Sequence, residues 1–459
     1  MANDVQQSAG DVRIEEVILT TVTGEQVDLS NFMLQIIIQE SIYSPCIFGE
    51  IIMSDAINLL SDGPIIGKDT ITLKIRTPEL PDKKEACIQK TFSIYAVTDR
   101  KLNTDREQFY SIAFISQPGI NDNITRLTQK FSGSTDDIAE KIFSDYIALE
   151  GNTMVMPDRP HSTNNFEFVA NHWSPFQCMN YLAKNSIGTQ YRMPNVMFFE
   201  SNKRFYYGSI TGIIQEQLKR KTLYDEYNYV PELDTNPNTK PKDRTSGYTY
   251  TSPTISNKMR VVEKIYYPTH FDQLKNQDSG YYGNTTFAYD FANKDIYHIQ
   301  FDYTSRHTQR LEQRSNLIKD TFTSFNHIGN TAPMPIDPIS DPLSNITFKA
   351  GASGLFGPND AFDVKQVTST CFRKTALAEL EAVKYEITVP GKTDVEVGRL
   401  IRFNYPKVGD KARTVSTDDE LYDSLISGIY IITGIRHDID ITGHKMILEI
   451  TRDSFGANN

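Results

Sequence analysis

Cysteine is scarce, tryptophan nearly absent and long apolar runs missing, and each shortage removes a class of function. The four cysteines, Cys46, Cys87, Cys178 and Cys371, are widely spaced, and no pair has metal-ligand or dithiol redox spacing. They are read as free thiols of a protein assembled in a reducing compartment. No apolar run reaches the ~20 residues of a membrane-spanning helix, and the opening MANDVQQSAGDVR is no signal peptide. Folding in a cytosol, without membrane insertion, is the expectation, and the sequons at Asn123, Asn284 and Asn345 then carry no meaning. Positive charge is also short: 47 Lys and Arg stand against 58 Asp and Glu, a net −11. That opposes a surface built to grip a phosphate backbone, and leaves open a surface that DNA passes without sticking. Trp173 stands alone, but 24 Tyr and 25 Phe, with the β-branched residues, favour strands. At 459 residues the chain is too long for one core, so several domains are expected.

What is present is a hairpin that occurs twice. Phe92–Ile115 reads FSIYAVTDRKLNTDREQFYSIAFI and Ser427–Ile450 reads SGIYIITGIRHDIDITGHKMILEI. Both open on Ile-Tyr with Thr three residues after the Tyr: Ile94, Tyr95 and Thr98, then Ile429, Tyr430 and Thr433. Both cross a polar middle and return as an alternating strand, with Tyr110, Ile112 and Phe114 on one face of the first and Met446, Leu448 and Ile450 on one face of the second. The expected hairpin core is therefore Ile94, Tyr95, Ile112 and Phe114 in one copy and Ile429, Tyr430, Leu448 and Ile450 in the other. Upstream, Gly67-Lys68 and Gly398-Arg399 each lead into an apolar strand. The shared order favours one small β-barrel or sandwich module built twice over a chance likeness of hairpins.

The fold class that follows is mainly β with α+β parts. Two similar small, tube-like β-barrels are accompanied by a helix-containing domain and an inserted β-rich domain. Residues 1–10 form a flexible tail and 11–118 the first barrel. A helix-containing domain spans 119–254 and ends in the loop 230–253. The second barrel is discontinuous, over 255–277 and 371–455, and the insertion 278–370 carries a Pro/Gly-rich segment at 328–361. Helical spacing marks 121–131, 308–320, a short helix at Cys371–Glu381, and Thr135–Leu149, where Ile138, Ile142, Phe143 and Tyr146 share a face and Ser134-Thr135-Asp136 supplies a cap. Ser174-Pro175 starts a further helix, Pro fitting its first turn. Residues 223–254 read as loop, and Gly49 as a possible bulge.

No motif makes a catalytic constellation. Asp62–Thr70 resembles a phosphate-binding loop, but only three residues separate Gly63 from Gly67, and Asp69 follows Lys68 where Ser or Thr is needed for magnesium. A turn into a strand is the better reading. His437, Asp438, Asp440 and His444 could hold a metal, but the matching turn Lys101–Arg106 has no histidine, and a solvent-exposed hairpin tip is favoured. His172, Trp173 and Cys178 read as packing plus a helix cap. Gly351, Gly354 and Gly357 lack a strand–helix context, and Lys219-Arg220-Lys221 reads as a solvated edge. No catalytic, cofactor or metal residues are nominated.

Three stretches carry a resemblance: SIYSPCIFGEIIMSDAINLLSDGPIIGKDTITLKIRT (Ser41–Thr77), GNTTFAYDFANKDIYHIQFDY (Gly283–Tyr303), and GRLIRFNYP with the closing hairpin and Thr451-Arg452-Asp453. In this order, over nearly the whole chain, they resemble the central baseplate hub of T-even-type contractile-tailed bacteriophages, whose architecture recurs in the base of VgrG spike proteins. The resemblance implies a structural virion protein and no enzyme. It implies a homotrimer in which two barrels per chain make a ring of six, matching a sixfold tail tube or tube-initiator ring on one side and a threefold spike on the other. Because the chain stops soon after the second hairpin, the spike is expected as a separate chain. Baseplate wedge proteins would surround the hub, and viral DNA would cross it only in transit. The place would be the tail baseplate of a virion assembled in the host cytoplasm. Acids on the polar hairpin faces, Asp99, Glu107, Asp438 and Glu449, are the candidate channel-facing residues. A tail-associated cell-wall hydrolase, the base of a contractile secretion or injection system, and an unrelated capsid or secretion-tube component are the alternatives.

Overall fold

The computed structural model describes residues 6, 8–62, 65–83, 86–104, 106–148, 152–162, 166–220, 224–229, 255–269, 272–302, 345–351, 364–407, 422–423 and 425–454. The first seven strands are β1 (Arg13–Thr20), β2 (Gln26–Asp28), β3 (Met33–Ser41), β4 (Phe48–Asp55), β5 (Thr70–Arg76), β6 (Cys87–Thr104) and β7 (Glu107–Ser116), with one helical turn, α1 (Leu59–Asp62). Their alternation sets the buried face: β5 turns Ile71, Leu73 and Ile75 inward. The ladder order is β2-β1-β5-β6-β7-β4-β3. Val17 of β1 and Ile38 of β3, near opposite ends of that order, share one core, so the sheet curls around it. Gly49 makes no bulge. A Cβ there would meet Ile37 O at 2.1 Å and the Phe114 ring at 2.7 Å, so its role is close approach.

The next unit mixes helices with small sheets. It contains α2 (Gln117–Ile124), β8 (Leu127–Gly133), α3 (Thr135–Ile142), β9 (Met154–Val155), β10 (Pro160–His161) and β11 (Phe166–Trp173). After these come α4 (Pro175–Lys184), β12 (Ile187–Gly188), β13 (Val196–Glu200), β14 (Phe205–Ser209) and α5 (Ile210–Lys219). Ser174 and Gln177 form a reciprocal capping box on α4, with Pro in its first turn, as the sequence indicates. The helix expected over 121–131 is instead α2 followed by β8, which pairs with β11. α3 ends in a π-helical turn, Phe143–Ile147, and the Ser134 side chain bonds Asp136 rather than the helix backbone.

The remainder contains β15 (Asp225–Tyr229), α6 (Ile255–Lys258), β16 (Val261–Val262), β17 (Lys264–Thr269), α7 (Gln273–Asp278), β18 (Gly283–Asp290), β19 (Asp295–Asp302) and β20 (Ile346–Gly351). It closes with α8 (Val364–Leu380), β21 (Val383–Pro390), β22 (Leu400–Asn404), β23 (Gly428–Asp440) and β24 (Gly443–Arg452). β18 and β19 form the expected hairpin, but β20 lies inside the segment read as Pro/Gly-rich loop. β15, in a stretch read as loop, pairs in parallel with β22. The expected helix over 308–320 and the loop 230–253 lie outside the described residues. On α8, Arg373 donates to the carbonyls of Pro194 at 2.6 Å and Val196 at 2.7 Å, fastening the helix to the middle unit.

The second lobe has the order β15-β22-β23-β24-β21-β17, and the first has β1-β5-β6-β7-β4-β3. Position by position these are the same arrangement, except that β15 runs parallel to β22 while β1 runs antiparallel to β5. The turns before β5 and β22 also match: Gly67 and Gly398 have φ of 96° and 82°, a conformation that favours glycine. Among the described residues neither lobe closes into a barrel. The edge strand β3 pairs with β23, and the two lobes become one 14-stranded sheet. Residues 8–10, expected as loose tail, dock on the second lobe, where Gly10 O accepts from His444 N at 2.7 Å.

Candidate functional site: the seam between the lobes

Along the β3–β23 ladder, Ile38 lies opposite His437 and Glu40 opposite Ile435. Residues facing each other across an antiparallel pair share a face, so Ile36, Ile38 and Glu40 lie with Ile435, His437 and Ile439. Ile435 belongs to the second core, while Ile36, Ile38 and Ile439 belong to the first. At the junction sits a polar group: Glu40, His437 and His444, all fully or almost fully buried. His437 Nδ1 and His444 Nε2 are 3.0 Å apart, and Glu40 Oε1 is 3.8 Å from His437 Nε2. The other Glu40 oxygen accepts from Asn202 N at 3.0 Å. The His444 ring packs on Gly391, where a Cβ would lie 2.0 Å from it. Burial, and then the adjacent His437, hold the His444 imidazole well below its usual range. These histidines are therefore not an exposed tip: the tip is Ile441, and both rings are buried at the junction, with Ile38 of the first core opposite His437 and Ile439 of the first core opposite His444.

One turn fastens the seam. Glu200, at the end of β13, has a side chain with no exposure. It accepts from Ile47 N at 3.0 Å and Ser116 Oγ at 2.6 Å, and pairs with Lys90 Nζ at 2.5 Å. Those three partners belong to the first lobe. Two residues on, Asn202 Nδ2 donates to Cys87 O, whereas Ser201 Oγ donates to Glu396 and Lys203 Nζ to Asp394 O on the approach to β22. The lobes also touch directly. Thr77 and Thr393 exchange backbone-to-hydroxyl bonds, each 3.1 Å long, and Thr393 Oγ1 donates to Ala86 O at 2.6 Å. None of this is legible in local sequence pattern beyond Glu200 closing the apolar run Val196–Phe199 and followed by Ser-Asn-Lys.

The opposite face of the shared sheet points away from the cores. Its register runs Lys445–Asp438–Ile37–Glu50–Ala113–Ala96, crossing both lobes. Glu449 lies on this face, opposite Glu386. Most nominated acids there are partnered. Asp438 accepts from Arg436 Nε at 2.9 Å, and Glu449 pairs with Lys384 at 2.6 Å and accepts from Thr433 Oγ1. Glu107 accepts from Ser54 and Asn103, bonds that lower its pKa. Asp99 is exposed at a bulge, with φ 56°.

Of the nominated hairpin core, Ile94, Ile112, Phe114, Ile429, Tyr430, Leu448 and Ile450 are buried, but Tyr95 is 55% exposed. The cause is register. A bulge separates Ile94 from Ala96, and the matching bulge of the second hairpin separates Ile432 from Gly434. Tyr95 therefore corresponds to Thr433, and Tyr430 corresponds to Phe92.

Elsewhere, Asp69 is buried and accepts from Ile66, Gly67 and Val22 amides, which makes the phosphate-loop-like stretch a turn into β5. His172 is exposed at φ 59°, Trp173 stacks on Phe168, and burial pushes the Cys178 thiol up to about 12. Among the described residues no group of three or more His, Cys, Asp or Glu could hold a metal, and no helix is long and apolar enough to cross a membrane.

No family model matches the chain, and no curated protein matches it. Solved structures do. A tail protein from Neisseria meningitidis MC58 aligns over 96% of this chain and 99% of its own, with 10% identity and a TM-score of 0.52. A 43 kDa tail protein of prophage MuSo2 from Shewanella oneidensis aligns over 95% and 98%, with 10% identity and a TM-score of 0.51. Over nearly its whole length, the chain shares the fold of these tail proteins.

Proposed function

We infer that this protein is a structural component of a contractile-tail baseplate, the central hub between tube and spike. The observation that carries the reading is the repeated strand order within one chain, joined edge to edge through β3 and β23. Three such chains around a threefold axis present six similar lobes at alternating positions. That ring meets a sixfold tube on one side and a threefold spike on the other. The lobes do this as open, curled sheets; closed barrels are not required. The fold shared with two tail proteins supports the reading.

In this arrangement the outward face bearing Asp438, Glu449 and Glu50 lines the channel, and its carboxylates keep passing DNA from adhering. A spike, the tube and the surrounding wedge proteins are the partners, and the virion tail is the location. Native mass spectrometry of the full chain, alone and with a co-expressed candidate spike, tests it. A species of three times 52.2 kDa is expected under at least one condition, and a six-lobed ring in projection images. A monomer under both conditions overturns the reading.

A further inference from the structure

A half-open cleft of about 420 Å³ lies where α5 and the β13–β14 turn meet the approach to β22. Its floor is apolar and aromatic. Val155, Ile213 and Leu400 surround the ring of Tyr206, which stacks on Phe199 with centroids 5.0 Å apart. The walls are held rigidly: Gln217 donates to Gly398 O at 2.8 Å and accepts from Leu400 N at 3.0 Å, which locks α5 to the second lobe. The cleft is therefore preformed.

Its charge runs against that of the molecule. Lys203, Arg204, Arg220 and Arg399 line it against only two carboxylates, Glu216 and Glu396, on a chain whose net charge is −11. Several of these groups are already used. Lys203 donates to Asp394 O, Arg399 pairs with Asp225 at 3.2 Å, and Glu396 accepts from Ser201. Glu216 accepts from Asp158 N. Two cations are left over. Among the described residues the Arg204 guanidinium has no hydrogen bond or ion pair. Among the same residues the Arg220 guanidinium has one ion pair, a 3.8 Å contact to Glu216, with the two side chains 72% and 40% exposed. A pair at that distance and exposure contributes little.

We propose that this cleft is a docking site for an acidic peptide segment of a partner protein: Arg204 and Arg220 receive its carboxylates, and an apolar neighbour lies on the Tyr206 floor. Guanidinium suits this task because its planar donors meet a carboxylate in two parallel hydrogen bonds. Nucleic acid fits worse. Binding a phosphate backbone at physiological salt takes many cations in a row, whereas this concave site has two to offer. The proposal does not depend on the trimeric ring, so either can fail alone.

The test is fluorescence anisotropy on the full chain. Three fluorescein-labelled probes are used: a peptide alternating Glu and Leu, its Lys–Leu counterpart, and a single-stranded oligothymidylate with the same charge as the acidic peptide. The acidic peptide is expected to bind saturably, the basic one not at all and the oligonucleotide at least tenfold more weakly. Arg204→Glu with Arg220→Glu should weaken the acidic peptide at least tenfold. Arg204→Gln with Arg220→Gln should do so to a lesser degree, and Lys101→Glu, on the distant first hairpin, should leave it unchanged. Circular dichroism verifies that each variant is folded. No saturable binding, equal binding by the paired-Arg variants, or tighter binding of the oligonucleotide overturns the proposal.

Discussion

The β6–β7 and β23–β24 hairpins hold the same place in the same strand order, yet they are closed at the base in different ways. With their bulges superposed, Phe92 coincides with Tyr430, Phe114 with Ile450, and Ser116 with Arg452. In both, a buried aromatic faces the last residue of the return strand. In the first lobe that residue is Ser116, which donates outward to Glu200 of the middle unit. In the second it is Arg452, stacked 4.7 Å over the Tyr430 ring and donating to the Ser427 and Leu425 carbonyls of its own lobe. One lobe is capped by its neighbour and the other caps itself. Beyond the bulge the hairpins differ again. β6 takes two further register shifts before its tip, while β23 takes none. There β23 pairs on both edges, with β24 and β3, and a strand hydrogen-bonded on both sides has little room for an extra residue.

The largest test breaks the outward cap. Glu200→Ala removes a fully buried carboxylate and leaves Lys90, Ser116 and the Ile47 amide without their acceptor. Breaking a buried pair from one side costs about 3–5 kcal/mol, and three orphaned donors put this case at the upper end. Urea unfolding is expected to show a destabilised transition, with hydrogen exchange rising at 92–98 and 112–116 and little at 428–434. Equal loosening of both hairpins would mean that the caps are not separate.

Next in size is the register itself. Tyr430→Ala and Phe92→Ala each empty a core position and should cost about 3 kcal/mol, whereas Tyr95→Ala should stay within about 0.5 kcal/mol. Matching losses at Tyr95 and Tyr430 would restore the equivalence suggested by the Ile-Tyr repeat and undo the one read from the bulges.

A smaller effect separates the seam from both cores. His444 is held neutral in the fold, its pKa depressed by burial and by His437. Below about pH 6.5, the ordinary imidazole value, the unfolded chain takes up a proton that the folded chain resists. Stability should therefore fall with falling pH, by up to about 1.4 kcal/mol per unit from this group. The groups facing it across the seam are His437 and Glu40, while Arg436, Asp438 and Lys445 lie on the other side of their strands. His444→Asn should flatten the slope of chemical denaturation midpoint against pH between 5 and 7. An unchanged slope would assign the acid sensitivity elsewhere.

How far the sequence reaches depends on whether its signal is local. Alternation gave β5, β7 and β24 because a strand's buried face is written in the strand itself, and Ser174-Pro175 gave α4 because a cap is local too. The return strands were aligned correctly, Ile112 with Leu448, for the same reason. The outgoing strands slipped by three residues, because a bulge is fixed by the partner strand and leaves no mark on the bulged one. The seam was not legible: the β3–β23 pairing joins residues some 400 positions apart, and His437 and His444 look like polar tip residues until the opposing strand covers them. A small barrel or sandwich was expected from the repeated order of turn, strand and hairpin, whereas closure depends on what the edge strand β3 meets.

The smallest effect on stability bears on the proposed function. Asp99 and Asp438 sit on the two hairpins at exposed or half-exposed positions, Asp438 paired with Arg436 at the surface. Replacing both by Lys should change folding stability by less than about 0.5 kcal/mol, since surface pairs contribute little. If the outward face lines a DNA channel, the same change adds attraction where repulsion is needed, and genome release from particles carrying the variant should slow, more so at low salt. The hairpins then separate two roles by face: inward residues decide whether each lobe stands, and outward residues decide what passes. Normal release at low salt from correctly assembled variant particles would remove the outward face from the channel wall and leave the two hairpins related only by their cores.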